Sequence, residues 1–191
     1  MPRAQAVAPP REGYAAESAA GLLERLASRH AVPGGGAGAA LAVASGAALA
    51  AMAARLAGAR IPDSGLLVQR LDALRRHALG QIDADAEAVT AMLAGGPAAR
   101  ARICDTPLAL AESGAEIAET AARLVREGNP RLAGDAHAAL LLAEAGVRVA
   151  RALLEDTLAA RPADPRRARV GRLADRARVA VSAAQGSRGS G

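Results

Sequence analysis

The stretch Val32-Pro33-Gly34-Gly35-Gly36-Ala37-Gly38, continued from Ala39 to Ala54 without a charge, decides how this chain folds. Three consecutive glycines let another group approach the backbone closely, and they lead into a long run of Ala, Gly, Leu and Ser. Such a run predicts a buried helix over about Gly36 to Ala57, whose small side chains at Ala40, Ala44, Ala47, Ala48 and Ala51 admit neighbouring backbones. The first turn of a helix leaves N–H groups without intrahelical partners, so a glycine-rich entry can also seat an anion or a polarised oxygen. The uncharged run reaches the length of a membrane span, but alanine and glycine contribute little to insertion, and a central helix of a bundle is expected instead.

Outward from this element the chain reads as helices throughout. A short helix is expected before it, from about Ala16 to Ser28, with Leu22, Leu23 and Leu26 as its apolar stripe. After Pro62, with Asp63 or Ser64 as cap, a long helix runs to about Leu93. Its stripe is Leu67, Leu71, Leu74, Ala78, Ile82, Asp85, Val89 and Leu93, which puts Asp85 on the face that enters the core. Asp105-Thr106-Pro107 starts a helix that Gly128 ends at Glu127, with Leu108, Ile117, Ala121, Leu124 and Val125 inward. Another follows from about Asp135 to Ala159, with Leu142, Ala145, Val149 and Leu153 as its core stripe, and a last one carries Val170, Leu173, Ala177 and Val181 on one face. The fold class is therefore all-α, an orthogonal or up-down bundle of about five to six helices, in one domain over residues 16–184. Residues 1–15 are expected to be a mobile leader without a signal peptide, and 185–191 a flexible tail.

Composition narrows the function. All 24 basic residues are arginine, the formal net charge is +5, and Tyr14 is the only aromatic residue. Eight arginines fall between Arg161 and Arg188, but nucleic-acid binding needs stacking or base-reading partners that the chain lacks, so neither nucleic acid nor a membrane is expected as partner. The single Cys104 allows no intramolecular disulfide and points to a reducing, cytoplasmic setting. His30, His77 and His137 are too scattered for a metal site, and none is expected. Gly34-x-Gly36-x-x-Ala39 lacks the strand that a dinucleotide fingerprint requires. What remains is a set of carboxylates at pointed places: Asp83, Asp85 and Asp135. A carboxylate on an apolar face is costly unless it is paired, hydrogen-bonded or functionally perturbed.

Leu26-Ala27-Ser28, Pro33-Gly34-Gly35-Gly36, Ala39-Ala40-Leu41, Gly46-Ala47-Ala48-Leu49 and Met52 together resemble the signature of the formiminotetrahydrofolate cyclodeaminase and methenyltetrahydrofolate cyclohydrolase family. Asp83-Ala84-Asp85-Ala86-Glu87-Ala88 is similar to its acidic motif, and Pro107 to Glu112 and Gly128-Asn129-Pro130 with Asp135 follow in the family's order. The resemblance spans roughly Leu22 to Leu158.

It implies a helical homo-oligomer that binds a reduced folate, with no further cofactor. In one reaction N10 attacks the formimino carbon on N5 and ammonia leaves; in the other, water opens the methenyl bridge to 10-formyltetrahydrofolate. The resemblance assigns Asp85 as acid/base, Asp83 to the pterin or to orienting Asp85, and Asp135 with Asn129 to closing the pocket. Gly34, Gly35 and Gly36 would form the floor that binds the folate, and Arg100, Arg102 or Arg131 would meet its glutamate tail.

Departures from the pattern accompany this. Ala37 and Gly134 stand where similar proteins carry serine, Leu153 and Thr157 where they carry asparagine, and Val89 where an aromatic residue is common. Two readings follow: an enzyme of folate one-carbon chemistry, or an inactive family member serving as a helical binding or scaffold module.

Overall fold

The computed structural model describes residues 12–95 and 102–186. A short 3-10 turn, Tyr14–Ala16, precedes α1 (Ala19–Leu26), and α2 (Gly35–Arg55) follows the glycine-rich entry. Then come α3 (Ser64–Leu93), α4 (Asp105–Glu127), α5 (Ala133–Thr157) and α6 (Pro165–Gly186). No strand occurs among the described residues, and the architecture is the all-α bundle the sequence predicts. Arg100 and most of the expected leader and tail lie outside the described residues.

Helix α2 is the central element, wedged between α3, α4 and α5. By length and composition it could cross a membrane, yet most of its apolar window is covered by the other helices. The contacts fix its direction against each neighbour. Gly46 faces Ala139 and Ala143 of α5, while Gly146 of α5 faces Ala39 and Val43, so α2 and α5 run antiparallel. The approach is close: a Cβ on Gly46 would lie 2.9 Å from the Ala139 carbonyl oxygen. Gly36 meets Asp85 of α3 and Arg55 pairs with Asp72, so α2 and α3 are antiparallel as well.

The α3 stripe follows the sequence expectation through its middle, where Leu71, Leu74, Ala78, Ile82 and Asp85 are buried; Leu93 ends up exposed. The cap does not follow it. Asp63 occupies the position before α3, but its carboxylate makes no cap bond and accepts two hydrogen bonds at 2.8 Å from the Arg123 guanidinium. The pairing with Arg123 lowers the Asp63 pKa.

Helix α5 corrects the expectation more deeply. Its core side is Ala136, Ala139, Leu140, Ala143, Val147, Ala150 and Leu154, whereas Ala145 and Val149 of the expected core stripe face outward. Both stripes are apolar, so periodicity alone does not distinguish them.

The expected leader also ends sooner than residue 15. Tyr14 is only 2% exposed, and its backbone N–H donates to Asp83 Oδ1 at 2.6 Å, with the Ala15 N–H reaching Oδ2 at 3.4 Å. Arg25 of α1 lies over the Tyr14 ring, 5.6 Å from its centre, and pairs with Glu17. Residues 13–16 are thus strapped onto α3 by a carboxylate that satisfies two backbone donors.

Candidate active site

The carboxylate of Asp85 sits against the entry of α2. A Cβ built on Gly36 would lie 2.2 Å from Asp85 Cγ, a distance no real side chain adopts, so only glycine leaves room for the acid. Asp85 is 7% exposed and has no ion-pair or hydrogen-bond partner among the described residues. Burial pushes its pKa up from 3.8 to about 6. The first turn of α2, with Gly34 before it and no side-chain cap, lies beside this carboxylate with its N-terminal positive end. A carboxyl group so placed changes protonation close to neutral pH, which suits it to general acid/base work.

The surroundings of this corner are sparse in polar groups. Ala37 is fully buried, and the Leu153 side chain of α5 comes within 3.2 Å of a Cβ on Gly35. Thr157, one turn on, donates its hydroxyl to the Leu153 carbonyl at 2.8 Å. Of the two α5 positions singled out as departures, Leu153 lies at the glycine corner, whereas Thr157 is exposed and bonds within its own helix. Arg102, just before α4, is exposed at the same end of the bundle. So is a hollow of about 520 Å³ lined by Tyr14, Glu17, Gly21, Arg25, His30 and Val32.

Asp83 points elsewhere. Two residues apart on a helix means roughly opposite sides, and its carboxylate is engaged by the Tyr14 and Ala15 N–H groups rather than by Asp85. Tyr14 is the residue that sequence reasoning missed here. Its signal, a lone aromatic behind Gly13 in a Pro- and Ala-rich segment, has no periodicity to mark it as core.

Asn129 and Asp135 are not part of the corner within one chain. The Asn129 amide donates to the Leu56 carbonyl at 3.3 Å, and its Oδ1 accepts from the Arg131 N–H at 3.1 Å, which caps the turn leading to α5. Both bonds lie at the C-terminal end of α2, about 20 residues and so about 30 Å from Gly36. Asp135, in the first turn of α5, stands near that same far end, as does Arg131. The structure therefore brings together Gly34, Gly35, Gly36 and Asp85, places Asp83 next door on the strap, and separates Asn129 and Asp135 from them.

A bundle with a central small-residue helix, a triple-glycine entry and a buried acid against it defines the class to which the comparisons point. The family model described as formiminotransferase-cyclodeaminase matches residues 18–95 and 97–158, and the chain belongs to that family. Among solved structures, the chain is similar to a formiminotetrahydrofolate cyclodeaminase from Thermotoga maritima, with 19% identity and a TM-score of 0.79. The match covers 91% of this chain and 95% of that one, and at this identity it speaks for the fold. No curated protein sequence matches the chain.

Proposed function

We propose that this protein is a cytoplasmic folate one-carbon enzyme that cyclodeaminates 5-formiminotetrahydrofolate or hydrolyses 5,10-methenyltetrahydrofolate. The observation that carries the reading is the Asp85 carboxylate, buried at the Gly36 entry with its pKa raised to about 6. Both reactions move a proton onto or off nitrogen around a tetrahedral carbon. Ionised Asp85 takes the proton from N10 or from the attacking water and, once protonated, returns it to the departing nitrogen. Proton transfer of this kind is typically worth about 10² to 10⁴ in rate. The N–H groups of the α2 first turn hold a polar atom of the folate, and Arg102, exposed before α4, pairs with its carboxylate tail. No cofactor beyond the reduced folate enters the proposal.

The second reading, an inactive member of the family, draws on Ala37 and Leu153, which make the glycine corner apolar at two places. Following the absorbance of methenyltetrahydrofolate, and ammonia release from the formimino substrate, decides between them. Turnover of either supports the enzyme; binding without turnover supports the module; absence of both removes folate from the account.

A further inference from the structure

Two glycines near the start of the chain each abut a carboxylate of α3. At Gly13, where φ is 82°, a Cβ would lie 2.7 Å from Asp83 Oδ2; at Gly36 it would lie 2.2 Å from Asp85 Cγ. The chain therefore leaves α3 at one acid and returns to it at the other, two residues along the same helix, with α1 lying in the loop between. The hollow of about 520 Å³ is enclosed by this loop alone: Tyr14, Glu17 and Arg25 form one wall, and Ser28, His30 and Val32 the other. Val32 leads through Pro33 straight into Gly34, Gly35 and Gly36, so the hollow adjoins the α2 entry.

The two ends of the loop are held very differently. Val32 and Pro33 are buried and run on into α2, the central helix, so this end is fixed. The other end depends on the strap. Helix α1 packs extensively on no other helix, and Leu22 is its one buried side chain. What fastens it is Asp83, which accepts from the Tyr14 and Ala15 N–H groups, and the Tyr14 ring beneath Arg25. Between the two ends Ala27, Ser28, Arg29 and His30 are exposed, as a hinge requires. Releasing the strap breaks two hydrogen bonds and uncovers one ring, while α2 to α6 keep their packing, so the segment opens at far lower cost than the bundle unfolds.

We propose that the segment from Gly13 to Leu26 is a lid beside the Asp85 corner, hinged over residues 27–31 and latched by Asp83, and that it closes on the folate bound there. The folate clause rests on the function proposed above; the hinge and the latch do not. Asp83 then acts as a positioning residue, holding the lid and not the reacting atoms. A closed lid slows escape of the ligand and keeps bulk water from Asp85 while the proton moves.

Hydrogen exchange on the free protein tests hinge and latch without any folate. The amides of residues 14–16 and of α1 are expected to exchange together, at least about tenfold faster than those in the middle of α2. Asp83→Ala is expected to speed both segments by about tenfold and to leave the interiors of α2, α4 and α5 unchanged. Tyr14→Ala, which releases the strap without touching α3, is expected to do the same. Protection of α1 equal to that of α2, or an α1 that does not respond when the strap is released, overturns the lid.

Closure is tested by the release of methenyltetrahydrofolate on rapid dilution, followed by its absorbance, with Asp85→Asn as the parent so that turnover does not intervene. Adding Asp83→Ala or Tyr14→Ala is expected to speed release about tenfold. Adding Asp83→Asn, which keeps an acceptor oxygen for the Tyr14 N–H, is expected to restore most of the slow release. Bound ligand is expected to slow exchange over residues 14–26. Unchanged release from a chain whose strap is free overturns closure, because the segment then moves without guarding the site. A native protein that neither binds nor turns over folate refutes the folate reading, and with it the folate clause, while the exchange rates still decide hinge and latch.

Discussion

The carboxylate of Asp85 occupies the space into which a side chain on Gly36 would project, with 2.2 Å separating its Cγ from the Gly36 Cβ position. The acid and the glycine therefore form one unit: neither position can change without the other moving. Gly36→Ala is expected to drive Asp85 out of its niche, toward solvent and an ordinary carboxylate pKa, and to destabilise the fold by about 1 to 3 kcal/mol through overpacking. Carboxyl NMR titration of Asp85 and thermal unfolding read both effects. An unchanged titration would show that the acid does not depend on the glycine.

Asp85→Asn separates catalysis from stability. Turnover is expected to fall by about 10² to 10⁴. The folded protein gains. Because the folded pKa is raised from 3.8 to about 6, ionised Asp85 opposes folding; its contribution is most favourable below about pH 4 and is lost as pH rises through 6. At pH 7 the difference of about two pKa units corresponds to about 2 to 3 kcal/mol that the asparagine variant recovers. Denaturation of both proteins at pH 4 and pH 7 should show the variant more stable only at pH 7.

Asp83→Ala removes the acceptor that holds Tyr14 and Ala15. The amides of these two residues are expected to exchange rapidly with solvent, while those in the middle of α3 stay protected. Hydrogen exchange by mass spectrometry resolves the two segments. If Asp83 instead served mainly to orient Asp85, the Tyr14 and Ala15 amides would keep their protection.

Gly46→Val tests the α2–α5 seam. The added atoms meet the Ala139 carbonyl oxygen and the Ala143 side chain, and a loss of about 1 to 3 kcal/mol in denaturant unfolding is expected. The same change at Gly38, where nothing stands within 4 Å, should leave the stability of the isolated chain nearly untouched.

Restoring the missing polar groups discriminates between the two functional readings. Ala37→Ser with Leu153→Asn places a hydroxyl and an amide at the glycine corner. A protein retired from catalysis should gain turnover from the pair, whereas an active enzyme adapted to its present corner should lose some; the absorbance of methenyltetrahydrofolate follows either outcome.

How far the sequence could be read depended on contrast between helix faces. In α3 a single apolar stripe stands out against polar neighbours, so Asp85 could be placed on the core side from spacing alone. In α5 the residues Leu142, Ala145, Val149 and Leu153 are as apolar as the side that packs, and periodicity carries no sign telling which of two such stripes faces inward. The strap was invisible for another reason. Tyr14 and Asp83 lie 69 residues apart and meet through a backbone N–H, which every non-proline residue has. Asn129 and Asp135 read as members of one site because the family motifs follow one another along the chain. In a bundle of antiparallel helices, successive connections alternate between opposite ends, so order in sequence does not measure distance.

Tyr14, the chain's sole aromatic side chain, carries its near-ultraviolet signature alone. Its ring is buried against Arg25 on a segment tied to α3, so its emission reports one event, release of that segment, with no tryptophan to obscure it. The same optical quiet leaves the pterin chromophore of any bound folate almost unmasked, and a single cuvette can follow strap and ligand together.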